Sequence, residues 1–234
     1  MFTSTIYIIR HGKSYSNYYR ENNFKEKLIK TIDPLLYDKK NEVNGISQAN
    51  DLSNIKWNEI IDKAYVSPLR RTIQTANIVL KKYPNIPLHI KRSLREHRWD
   101  ENENHAKNIG HMHILNILKY NRKLYNLDKL DKPSNLWNPP YEKDLFEKST
   151  NILWTNIIIP NLKSRINKKK GFVIFTHWGV VNFILNKLKE IREFTPKFKN
   201  NNCCVIKITF LFNHEYNIID FNINIVNDNN RCIL

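Results

Sequence analysis

Three short apolar runs in this chain each end in a polar, basic cluster that opens a helical pattern, and this recurring arrangement limits the folds available to it. Residues 5–9 run into Arg10, His11, Gly12, Lys13 and Ser14. Residues 63–66 run into Ser67, Pro68, Leu69, Arg70 and Arg71, and residues 172–176 end on Thr176 and continue as His177, Trp178 and Gly179. A fourth apolar run covers 86–90. Runs of this length, bounded by turn and helix signals, read as buried strands. Helical patterns cover 45–52, 68–82, 141–165 with an interruption at Pro160, and 180–191. Pro68 falls near a helix start, where its missing N–H costs little. Strands that alternate with helices predict a three-layer α/β/α domain with a largely parallel central sheet. Near the C-terminus, 204–212 and 216–225 alternate apolar and polar residues across 213–215, which predicts a hairpin.

The 234 residues suit one such domain with a sizeable core and are too few for two ordinary ones. A single domain over 1–234 is therefore expected. Between the third strand and the long helix lies 95–140, rich in His, Asn and Trp and carrying Pro139–Pro140. A loop this long reads as a lid insertion that covers a substrate; a solvated insertion with a short helix at 114–118 is the plainer alternative. Lys and Arg number 38 against 22 Asp and Glu, a net charge of +16. That excess points to anionic partners: nucleic acid, a membrane surface or phosphorylated molecules. Heavy use of Asn, Ile and Lys throughout gives part of it a compositional origin. No apolar run approaches the roughly 20 residues of a membrane span, and the first ten residues lack a signal-peptide pattern. Three cysteines, Cys203, Cys204 and Cys232, do not make a disulfide framework, so a reducing, cytoplasmic setting is expected.

The clusters carry the chemistry. In open α/β sheets, ligands gather beyond the carboxyl ends of the strands, where helix N-termini offer free N–H groups and partial positive charge. Arginine forks match phosphate oxygens. Arg70 and Arg71 at a helix start are themselves disfavoured unless an anion joins them. A neutral imidazole is a nucleophile that can carry a phosphoryl group, and arginines neutralise charge on the transferring oxygens. Gly12, after His11, lets backbone come close to a phosphate. Each cluster alone has a plain structural explanation; the three together point to a phosphoryl site. His105, His111 and His113 lack the spacing and cysteine partners of a metal centre, so no metal and no cofactor is expected.

These residues resemble a known family. Arg10-His11-Gly12 with Asn17, then Ser67-Pro68-Leu69-Arg70-Arg71 followed by Gln74-Thr75-Ala76, then His177-Trp178-Gly179, are similar to the ordered signatures of the histidine phosphatase superfamily, phosphoglycerate mutase-like branch. Asp33-Pro34-Leu35 and Gly45-Ile46-Ser47-Gln48-Ala49 resemble its intervening elements, and Leu94-Arg95-Glu96 its acid-bearing element. The resemblance implies that His11 is the phosphorylated nucleophile and that Arg10 and Arg71 hold the phosphoryl group. It also implies that His177 donates a further hydrogen bond and that Asn17 positions the phosphate. Arg71 fits the family spacing better than Arg70. Glu96 would be general acid and then general base, and Trp178 is a candidate substrate contact.

One stretch departs from that pattern. After Glu96 comes His97-Arg98-Trp99-Asp100, unlike the corresponding run of true phosphoglycerate mutases. The departure favours hydrolysis of a phosphomonoester through a phosphohistidine over mutase-type phosphoryl transfer. A non-catalytic module binding a phospho-ligand or nucleic acid is the alternative outside enzymes. A phosphorylated small molecule or phosphoprotein is the expected substrate; no membrane partner is expected, and nucleic acid is disfavoured.

Overall fold

The computed structural model describes residues 1–22, 35–40, 42, 44–96, 125–126, 143–195 and 201–226. Its strands are β1 (Phe2–Arg10), β2 (Ile60–Val66), β3 (Leu88–Ile90), β4 (Tyr125–Asn126), β5 (Lys170–Thr176), β6 (Val205–Phe212) and β7 (Ile218–Ile225). Its helices are α1 (Tyr15–Glu21), α2 (Gly45–Leu52), α3 (Arg70–Val79), α4 (Lys143–Ile152), α5 (Ile159–Lys163) and α6 (Trp178–Lys189). The strands form one sheet in the order β4-β3-β2-β5-β1-β6-β7. The first five in that order run parallel; β6 pairs antiparallel with β1, and β7 antiparallel with β6.

Side chains alternate across a strand, and here both faces are covered. Ile6 and Ile8 of β1, with Phe172 and Ile174 of β5, face one core; Tyr7 and Ile9, with Val173 and Phe175, face the other. The first core is closed by Val180, Val181, Ile184 and Leu188 of α6 and by Leu153, Ile158 and Leu162. Ala49 and Leu52 of α2, with Ile73, Ala76 and Val79 of α3, close the second. Two covered faces explain why β1 and β5 read as nearly continuous apolar runs. Each fully buried Ile, Leu or Phe contributes about 1.5–3 kcal/mol. The mixed, mostly parallel α/β layering expected from the sequence is present. No described helix is long and apolar enough to cross a membrane.

The boundaries depart from expectation for identifiable reasons. β3 starts at Leu88, not at residue 86, because Pro87 cannot donate to a ladder. α3 starts at Arg70, with Leu69 extended (ψ 137) after Pro68. The long helical pattern is one helix, α4, a π turn over Leu153–Ile158, and then α5. Pro160 lacks an N–H, and its ring would press on the carbonyl four residues back; the wider π turn accommodates both. α1 was not foreseen; Ser14 caps it, with Asn17 completing a reciprocal capping box. Two residues of the 95–140 insertion form β4 beside β3. Residues 97–124 and 127–142, with the 114–118 helix, His105, His111, His113 and Trp99, lie outside the described residues. Cys203 is buried and forms no disulfide.

Candidate active site

The three clusters converge because β1, β5 and β2 are neighbours in parallel. Arg10 of β1 stands beside Thr176 of β5, and Val66 of β2 beside Phe175. One residue further on, His11 N donates to Thr176 O (3.0 Å) and Ser67 N to Phe175 O (3.0 Å). His11, Ser67 and His177 therefore emerge on one sheet edge.

The loop after β1 is held tightly. A Cβ on Gly12 would lie 2.7 Å from the Gly45 carbonyl oxygen, and one on Gly45 only 2.0 Å from that of Lys13. Neither glycine has a positive φ, so space rather than backbone freedom selects them. Lys13 N donates to Gln48 Oε1 (2.8 Å), and Gly12 N to Thr75 Oγ1 (3.0 Å). Thr75 Oγ1 in turn donates to Arg71 O (2.7 Å).

Hydrogen bonds assign the state of each histidine. His11 Nδ1 lies 2.7 Å from Gly12 O. A carbonyl only accepts, so Nδ1 carries the proton and donates. Nε2 is then a lone pair, and it accepts from Arg71 Nε at 3.2 Å. His177 has the opposite tautomer. Its Nδ1 faces Arg71 Nη2 (3.2 Å), a donor only, so Nδ1 accepts. Its Nε2 donates to Ser67 Oγ (2.7 Å), with Thr72 Oγ1 at 3.2 Å. The two rings lie 5.0 Å apart. Burial, then the charges of Arg71 and Arg10, hold the His11 imidazole well below the usual histidine range. Burial, Arg71, His11, Arg10 and Arg95 do the same to His177. Both rings are neutral at physiological pH. Arg10 is itself pushed down by burial and by Arg71, and stabilised by Glu96. A pocket that resists further positive charge is built for an anion.

Glu96 approaches from the other side. Thr176 Oγ1 donates to Leu94 O (2.8 Å), tying that segment to the end of β5, and Gly179 N donates to Glu96 Oε1 (3.1 Å). The carboxylate thus sits at the N-terminus of α6, near Arg10. Asn17 joins the site through Asn202, whose Nδ2 lies 3.0 Å from His11 O and 3.4 Å from Asn17 Oδ1. Trp178 opens α6 directly after His177 and is 41% exposed. The structure therefore gathers His11, Arg10, Arg71, His177 and Glu96, with Asn17 and Trp178 at the margin.

A family model of the histidine phosphatase superfamily (branch 1) matches residues 6–123, half of the chain. The chain belongs to that superfamily. No curated protein sequence matches it. Solved structures of superfamily-like fold include phosphoglycerate mutase from Bacillus anthracis (19% identical, 96% of this chain and 92% of that one, TM-score 0.55). Others are the alpha-ribazole phosphatase of Shigella flexneri (17%, 98% of both chains, 0.54) and a mycobacterial glucosyl-3-phosphoglycerate phosphatase (13%, 96% and 98%, 0.54). At these identities the likeness shows the fold. Superfamily membership makes this an enzyme of the phosphatase and mutase class.

Sequence reasoning gave no individual role to several residues of this histidine phosphatase-superfamily site. Ser67 and Thr72 face His177 Nε2, Thr75 bridges Gly12 to Arg71, Gln48 anchors Lys13, and Asn202 reaches His11. A usable signal was the placement of Thr75 four residues after Arg71, one turn along α3, where its hydroxyl reaches the Arg71 carbonyl.

Proposed function

We propose that this enzyme hydrolyses a phosphomonoester in two displacements through a phosphohistidine on His11. In the first, His11 Nε2 attacks phosphorus, the P–O ester bond breaks, and Glu96 gives its proton to the leaving oxygen. In the second, water attacks phosphorus, Glu96 takes the water's proton, and the P–N bond breaks to release phosphate. The observation that carries this reading is the 2.7 Å bond from His11 Nδ1 to Gly12 O, which leaves Nε2 unprotonated. Arg10 and Arg71 hold the equatorial oxygens through the transition state, and Asn17 supports a third contact. A phosphate dianion beside His177 favours its protonated form and turns Nδ1 from acceptor to donor. The same dianion beside Glu96 favours the carboxylic acid that the first step needs.

The chain is read as one domain over 1–234, with 95–140 covering the pocket and Trp178 lining its mouth. The substrate is a phosphorylated small molecule or phosphoprotein met in the cytoplasm. Hydrolysis is preferred over mutase chemistry because His97-Arg98-Trp99-Asp100 follows Glu96. The test is phosphate release from p-nitrophenyl phosphate and a panel of metabolites, with His11→Ala as control and isomerisation of a phosphoglycerate assayed in parallel. Release that His11→Ala abolishes supports the reading, and equal release by the variant overturns it. Isomerisation without release would favour the mutase.

A further inference from the structure

Resting on the two-step reading above, we propose that Asn202 is a positioning residue for the phosphoryl transfer, fixing the nucleophile's loop and the Asn17 amide at once. Three observations converge on the turn before β6. Cys204 N donates to Asn201 O (3.0 Å), closing a tight turn in which Cys203 has φ 60. That is the left-handed region, unfavourable for a residue with a side chain. Such strain persists where surrounding structure enforces it, and it concentrates at functional sites. Here it directs Cys203 N toward two carbonyls of the first signature, Arg10 O and His11 O, each at 3.2 Å.

Asn202 supplies the second link. Its Nδ2 donates to His11 O at 3.0 Å, so the nucleophile's carbonyl is gripped by a backbone and a side-chain donor from one turn. His11 N is bonded on the opposite side to Thr176 O (3.0 Å). The backbone of His11 is thus pinned from β5 and from the turn before β6, and only its ring is left to act.

The third link concerns Asn17. Its Oδ1 accepts from Ser14 N (3.1 Å), Ser14 Oγ (2.8 Å) and Asn202 Nδ2 (3.4 Å). With Oδ1 facing three donors, the amide cannot flip, and Nδ2 is the group left to meet a phosphate oxygen. Asn202 therefore couples the orientation of a phosphate contact to the position of the attacking ring. Positioning of this kind lowers the barrier without touching the reacting atoms.

The test compares wild type, Asn202→Ala and Asn202→Asp. Asp keeps the shape but at neutral pH offers only acceptors to two acceptor oxygens; when protonated it regains one donor. Both variants are expected to lose about 10- to 100-fold in kcat/KM for p-nitrophenyl phosphate at pH 7.5. Inhibition by orthovanadate, a mimic of the transferring phosphoryl group, weakens in parallel. The activity of Asn202→Asp relative to wild type recovers as pH falls toward the carboxyl range, whereas that of Asn202→Ala does not. Full activity in a folded Asn202→Ala, or a loss in Asn202→Asp that is the same at every pH, would overturn the proposal. If Asn202→Asp does not fold, vanadate binding to Asn202→Ala decides. If wild type turns over no phosphomonoester, the phosphatase reading fails, and vanadate binding by wild type against Asn202→Ala still tests the positioning role.

Discussion

Gly45→Ala isolates the backbone contact that seats the signature loop. In an open helix this substitution stabilises by up to about 1 kcal/mol, because Gly loses more entropy on folding than Ala. At the first residue of α2 the sign reverses. The new Cβ would lie 2.0 Å from Lys13 O and 2.9 Å from Lys13 C, and must retreat toward the 3.4 Å of ordinary contact. Both groups are backbone, so no rotamer change relieves the clash. α2 or the loop has to move, against the bonds Gly45 N to Tyr37 O (2.7 Å) and Lys13 N to Gln48 Oε1 (2.8 Å). Overpacking of this kind costs about 3 kcal/mol, the upper end of its usual range, and for a chain of this length that lowers Tm by roughly 6–12 °C. Because the loop carries His11, a shift near 1 Å also removes about 100-fold in kcat/KM. Gly171→Ala is the control: its Cβ would lie 3.3 Å from Thr5 O, which a small strand adjustment absorbs. Thermal melts and p-nitrophenyl phosphate kinetics on both variants give the answer. A Gly45→Ala protein as stable and active as wild type would refute the reasoning.

Two further predictions concern proton chemistry. Glu96→Gln removes the acid and lowers kcat/KM, which reports the leaving-group step, far more for alkyl phosphates than for p-nitrophenyl phosphate, whose leaving oxygen needs little protonation; an equal fall in kcat/KM across leaving groups removes Glu96 from that role. His11 and His177 are buried and neutral in the folded chain but titrate near 6.5 when unfolded. The unfolded state therefore binds more protons below that pH, and stability, level above about 6.5, falls as pH drops by about 1.4 kcal/mol per pH unit for each histidine. Urea unfolding at pH 7.5 and 5.5 checks this, and unchanged stability across that interval contradicts the burial of neutral imidazoles.

How much of this was legible in the chain depends on how local the signal was. The parallel sheet could be read because β1 and β5 are covered on both faces and show as apolar runs. The convergence of Arg10, Arg71 and His177 on His11 followed from three clusters at parallel strand ends. α1 escaped notice because it is short, rich in tyrosine and without a buried stripe; its start is set by the cap Ser14–Asn17, two polar residues that read equally well as loop. The π turn before Pro160 is invisible to a 3.6-residue period. Asn202 was missed because it acts on a backbone atom far away in sequence, and nothing in its own neighbourhood marks that partner. The β3 start was misplaced by ignoring the missing N–H of Pro87.

The central claim is that His11 carries the phosphoryl group. Rapid quenching of the enzyme during turnover of a 32P-labelled phosphomonoester, followed by peptide mapping, addresses it directly. The account predicts an acid-labile, base-stable label on the peptide that contains His11, absent from His11→Ala and accumulating when the water step is slowed by Glu96→Gln. Turnover with no protein-bound label under those conditions, or label on a peptide other than that of His11, would contradict it.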